Sequence, residues 1–144
     1  MHKARGLALA AVGMTALVAV STTTAEATPP RGVGATIISK YTVGGKDFVL
    51  REITIAPGGT TGWHWHDGTL IGVVKRGTLT HNEADCSVDG IYHAGDPIVE
   101  APGPANVHIG RNLDTTPLVL DVLYIDPAGS PFSEDAPNPG CNFQ

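Results

Sequence analysis

His64-Trp65-His66 is the triplet in this sequence best suited to chemistry. Residues two apart on an extended strand project to the same face, so both imidazoles enter one space. Imidazole is the most versatile ligand for borderline divalent metals, and a strand-borne pair of this kind is half of a metal site. A later strand-and-turn unit, Gly95 to Asn112, carries a further imidazole, His108. His81 and His93 flank a polar stretch around Cys86 and read as surface side chains. Trp63 and Trp65 alternate with His64 and point the other way, so they are expected to pack between sheets. Tyr124 is read as core, with a proton donor facing the cavity as the alternative. Asp67 faces away from His66, where a supporting hydrogen bond to a ligand imidazole is open to it. Asp121 is read as an outward polar position.

Short strands must carry these groups. Ala35 to Tyr41, Phe48 to Ile55, Leu70 to Val74 and Leu118 to Ile125 are rich in Val, Ile, Leu and Tyr. Between them stand Gly44-Gly45, Pro57-Gly58-Gly59, Lys75-Arg76-Gly77, Asp89-Gly90, Pro102-Gly103-Pro104 and Pro127-Ala128-Gly129. β-Branched runs bounded by Gly and Pro at short intervals predict an all-β sandwich or barrel. Leu118 to Ile125 is apolar on both faces, which predicts a strand buried on both sides. The stretch from Pro127 to Gln144 has no periodicity and reads as a tail held only by Cys141.

In this setting the histidines and glycines resemble the two motifs of the cupin superfamily. Gly58, His64, His66 and Gly77 fall in register with the first motif; Gly95, His108 and Asn112 match the layout of the second. The resemblance covers Phe48 to Ile125. It implies a double-stranded β-helix, a small jelly-roll barrel, with a metal inside its wider mouth. It also implies His64, His66 and His108 as ligands. Two departures stand out. The family's glutamate position falls at Leu70, which cannot bind a metal, and the turn of the second motif is rewritten as Pro102-Gly103-Pro104-Ala105.

Three neutral imidazoles leave a divalent ion its full charge and at least one open coordination position. Iron, zinc, copper or nickel suit such a set. Without the carboxylate, manganese chemistry of the germin type is disfavoured, because hard cations prefer oxygen ligands.

The N-terminus reads as a secretory leader. Lys3 and Arg5 precede an apolar run from Gly6 to Val20, and Ala25-Glu26-Ala27 supplies a small-x-small cleavage site. The run is shorter than the roughly 20 residues a spanning helix requires, which disfavours the alternative of a membrane anchor. The chain then divides into a leader (1–27), an extension with the first strand (28–47), the barrel (48–126) and the tail (127–144). Secretion makes a disulfide the natural state of Cys86 and Cys141, with two reactive or metal-binding thiols as the alternative.

The formal charge of −5 over 144 residues comes without any cluster of Lys or Arg. That excludes nucleic acid as an expected partner. No later stretch is apolar enough for stable membrane insertion. A small-molecule ligand or substrate is the expected partner, and a homodimer is an expectation from the resemblance.

Two functions fit these residues. One is a metal-dependent enzyme of oxygenase or isomerase type, a dioxygenase-like oxidoreductase for example, with Leu70, Val74, Leu120 and Val122 lining the barrel and no carboxylate placed inside it as a base. The other is a non-catalytic extracellular protein that binds a small ligand or metal. A scaffold with an inactive site is the third reading.

Overall fold

The computed structural model describes residues 26–144, so the leader expected over 1–27 lies, apart from its last two residues, outside the described residues. Ten strands follow: β1 Arg31–Val43, β2 Lys46–Thr60, β3 His64–Trp65, β4 Thr69–Arg76, β5 Thr78–Glu83, β6 Val88–His93, β7 Pro97–Glu100, β8 His108–Arg111, β9 Leu118–Pro127 and β10 Glu134–Asp135. Among the described residues there is no helix, and hence none long and apolar enough to cross a membrane. All four strand segments expected from the sequence fall inside β1, β2, β4 and β9.

Every pairing is antiparallel, and the strands form a nearly closed jelly-roll barrel. One side runs β1-β2-β9-β4-β7 and the other β6-β5-β8-β3-β10. The long strand β2 joins them. Its first part pairs with β9 from Lys46 to Ile55, and its last residue, Thr60, pairs with Arg111 of β8. Between lies the Pro57-Gly58-Gly59 corner, clamped by Asn112. The Asn112 backbone bonds Gly58 and Gly59, while its buried amide donates to the Ile55 and Thr116 carbonyls at 2.9 and 2.8 Å. The matching asparagine is thus a corner brace. At the other end of β2, Gly44 and Gly45 make the two-residue turn from β1 with φ of 58° and 74°, the left-handed pair such a hairpin demands.

The main core is Val49, Ile55, Leu70, Val74, Leu79, Ile98, Leu118, Leu120, Val122 and Tyr124. On β9 burial alternates. Leu118, Leu120, Val122 and Tyr124 are buried, whereas Val119, Asp121, Leu123 and Ile125 are only half-buried. The two-sided burial expected of this run is therefore corrected: one face fills the barrel and the other lies toward solvent, as antiparallel sheets allow. Asp121 points outward, 3.3 Å from the Lys75 amine.

The tail also departs from expectation. Cys86 and Cys141 form the disulfide, but they are not its sole tether. Glu134 and Asp135 pair with Trp65 and His64, and the Ala136 amide donates to the Trp63 carbonyl at 2.9 Å. Trp63, Ile109 and Ala136 form a second core, with Trp65, Val107, Cys141 and Phe143 packed on it. Trp63 is buried beneath the tail and Trp65 half-buried beside it, rather than between the sheets. A two-residue strand carries no periodicity, so composition alone could not reveal it.

Candidate metal centre

β3 and β8 bring the three expected histidines together. His64 is the register partner of His108, and directly opposed residues on an antiparallel pair share a face. His66, two residues on, turns its ring to the same side. Ring centroids are 4.8 Å apart for His64–His66, 4.4 Å for His64–His108 and 5.2 Å for His66–His108. One nitrogen from each ring lies within 4.8 Å of the others, and all three side chains are buried.

The outer nitrogens fix the protons. Nδ1 of His64 lies 2.9 Å from the Gly62 carbonyl, Nδ1 of His66 2.8 Å from that of Phe132, and Nδ1 of His108 2.8 Å from that of Asn106. A carbonyl only accepts, so each Nδ1 carries the hydrogen, and in the neutral form of each ring Nε2 is left with a lone pair directed inward. Asp67 takes no part in this; backbone carbonyls do the orienting, one of them supplied by the tail.

Two further groups stand at the centre that the sequence reading did not place there. His81 is buried, not superficial: its ring centroid is 4.8 Å from that of His108, and its Nδ1 donates to Asp89 at 2.7 Å. His93 is exposed, as expected. Glu100, at the end of β7, directs Oε2 to within 3.1 Å of His66 Nε2 and 3.4 Å of His108 Nε2, and Oε1 to 3.6 Å from His81 Nε2. The expectation that no carboxylate enters the barrel is corrected. The motif looked for an acid on β4, where Leu70 stands, whereas the acid is the register partner of Leu70 on β7. Only the alternation of β7, with Val99 exposed between Ile98 and Glu100, hinted at an inward side chain.

Charge at this cluster is unusual. Burial and the neighbouring His108 and His66 hold His64 down to about 3, so it is neutral at ordinary pH and free to act as a ligand. Burial works to raise Glu100, but contacts with His108 and His66 prevail and keep it well below the usual carboxylate range. Burial likewise opposes a charge on His108, yet the Glu100 carboxylate raises its pKa overall. Among the described residues the Nε2 atoms of His66, His81 and His108 are buried with no other polar group beside them than Glu100, 3.1 to 3.6 Å away. A buried polar atom left without a partner costs about 1–3 kcal/mol. Inward lone pairs around an ionised carboxylate repel one another unless a cation stands between them. Three imidazoles and a carboxylate brought this close together are a donor set that fits a divalent metal ion.

The cavity has two parts sharing His64, His66, Thr61, Ile53 and Tyr124. The outer part, about 170 Å³, also includes Arg51 and Phe132; the inner, about 60 Å³, includes His81, Glu100, Leu70, Leu120 and Val122. Val74, expected in the lining, is packed in the core instead. Tyr124 is both core and cavity wall, its ring centroid 6.0 Å from that of His66 and its phenol raised by burial to about 12.

A search of curated proteins finds no match. Among solved structures, the chain is similar to a cupin domain from Bordetella pertussis Tohama I, with 24% identity and a TM-score of 0.55 over 69% of this chain and 96% of that one. It is similar to the polyketide cyclase RemF from Streptomyces resistomycificus, with 16% identity and a TM-score of 0.59 over 78% and 79%. It is also similar to recombinant oxalate oxidase in complex with glycolate, with 22% identity and a TM-score of 0.54 over 69% and 53%. At such identities the likeness speaks for the fold. The cupin domain family itself matches residues 51–125, more than half of the sequence, and the chain belongs to that family.

Proposed function

We propose that this cupin binds a divalent transition metal through Nε2 of His64, His66 and His108, with Glu100 as a carboxylate ligand, and acts there on a small molecule as an oxygenase-type or isomerase-type enzyme. The observation that carries it is the set of three Nδ1–carbonyl bonds, which leave three lone pairs converging on one buried point. Glu100 is better suited to ligation than to proton abstraction, because a carboxyl held well below its ordinary pKa is a weak base. Tyr124, protonated at neutral pH, offers a hydrogen-bond donor in the cavity wall. A bound ion would supply Lewis-acid polarisation or, if redox-active, oxygen activation. Iron, zinc, copper and nickel remain the candidates, and manganese joins them, since the ground for setting it aside was the absent carboxylate.

Export after Ala27 belongs to the same proposal, supported by the Cys86–Cys141 disulfide. So does a homodimer through β1, which among the described residues pairs only with β2 and exposes Ile37, Ile38, Tyr41 and Val43. Sedimentation of Ile38→Lys should show monomer where the wild type shows dimer.

Elemental analysis of the exported protein, purified without an affinity-metal column, tests the metal. About one ion per chain is expected, with loss in His66→Ala while the fold is retained. Failure to fill the site after reconstitution would instead indicate an inactive scaffold. A filled site that gives no product with oxygen and candidate substrates would indicate a binding protein.

A further inference from the structure

Arg51 lies on the inward row of β2, between the apolar Val49 on one side and Ile53 and Ile55 on the other. Two aromatic rings hold its guanidinium, Phe132 closest and Tyr124 to one side. The Phe132 ring centroid is 3.9 Å from its central carbon and that of Tyr124 5.3 Å, distances at which cation–π attraction holds the group in place. Among the described residues Nε is buried with no hydrogen-bond partner, and Nη1 has only a long contact of 3.4 Å to the Tyr124 hydroxyl. Among the described residues no carboxylate oxygen lies within 4.0 Å of it. The aromatic clamp explains how Arg51 is held, but it leaves a half-buried cation without a counter-charge, a costly arrangement inside a barrel. The same cavity wall carries His64 and His66.

We propose that Arg51 anchors the carboxylate of a small organic acid whose other end extends toward the histidine cluster. A guanidinium edge presents two parallel N–H donors that match a planar carboxylate, and these donors are the part of Arg51 that the two rings leave without a strong partner. The remaining outer wall is largely apolar, with Val33, Ala35 and Ile53, so it accommodates a short hydrocarbon body. A volume of about 170 Å³ limits the acid to a few carbons. This assignment names the substrate class for the function proposed above, but binding at Arg51 does not itself need a metal.

Calorimetric titration with butyrate, butyramide and inorganic phosphate tests it, on both chelator-treated and metal-reconstituted protein. Butyrate should bind saturably to both forms, at least about tenfold more tightly than the neutral amide, since a charge-assisted pair contributes that much or more, and more tightly than phosphate, which has no hydrocarbon body to bury against the apolar wall. Arg51→Gln should abolish the preference. Arg51→Lys should retain only part of it, because the charge remains and the fork is lost. Phe132→Leu, which removes the stacked ring and leaves the guanidinium edge, should keep the preference and so separates anchoring from tail packing. Equal affinity for butyramide, or an unchanged preference in Arg51→Gln, overturns the proposal. So does butyrate binding that requires metal and survives in Arg51→Gln, which would put the anion on the ion instead. If the chain takes up no metal yet shows Arg51-dependent butyrate binding, the metal reading fails and this one stands.

Discussion

Leu70 and Glu100 are register partners across the β4–β7 ladder. Opposed residues on an antiparallel pair project to the same face, so an acid on either strand reaches the same part of the barrel. Leu70 fills the position where the family's motif has glutamate, and Glu100 restores a carboxylate from one strand away, 3.1 Å from His66 and 3.4 Å from His108. Glu100→Gln keeps the shape and removes the charge. It should weaken metal affinity by about tenfold or more, the scale seen when groups supporting a metal site are altered. Chelator competition measures it. An unchanged affinity would show that the three imidazoles act alone.

Because the Phe132 carbonyl orients His66, the tail and the candidate metal site are coupled. The disulfide at Cys141 closes a loop with a sequence separation of 55, for which chain entropy gives roughly 4 kcal/mol as an upper figure. Cys141→Ser, paired with Cys86→Ser to avoid a free thiol, should lower the melting temperature by several degrees. It should also weaken metal binding, through looser support of His66. A lower melting temperature with metal affinity intact would show that β10 holds the carbonyl unaided.

His64, His66, His108, the strands and the disulfide were legible in the sequence because each follows from a local rule: side-chain alternation, Gly and Pro punctuation, motif register, an even cysteine count. Glu100 and His81 were not, because they enter the site through the pairing of β4 with β7 and of β5 with β8, and pairing partners are distant in sequence. His81 stands in a polar stretch that reads as surface, yet β5 is buried from Leu79 to Asn82 beside β8. The tail failed for a related reason. Its value lies in covering Trp63, and nothing in a run of Pro, Gly and Ser announces a docking partner.

The barrel core should be unforgiving where it is tightest. Leu118 is fully buried at the start of β9, packed in the main cluster, whereas Val99 on β7 is 67% exposed. Leu118→Ala should cost about 2–5 kcal/mol, combining lost transfer energy with the cavity left behind. Val99→Thr should remain within about 0.5 kcal/mol of wild type. Urea denaturation of both variants measures the contrast. A Leu118→Ala loss as small as that of Val99→Thr would contradict the packing described.

Asp47 supplies a pH signature away from the metal centre. Its carboxylate accepts hydrogen bonds from the Thr42 hydroxyl and the Gly129 amide and pairs with Lys40 at 3.0 Å, which together lower its pKa from 3.8 to about 2. A folded-state pKa below the unfolded value means the charged form favours folding. The contribution is therefore fully present above the ordinary value and is lost as the pH falls from about 4 toward 2. Asp47→Asn, which cannot ionise, should be less stable than wild type at neutral pH. The gap should shrink through that acid window and close below it. Denaturant titrations at several pH values between 2 and 7 would show the two stabilities converging; a gap that stays constant across the window would mean that the loop contacts of Asp47 do not depend on its charge.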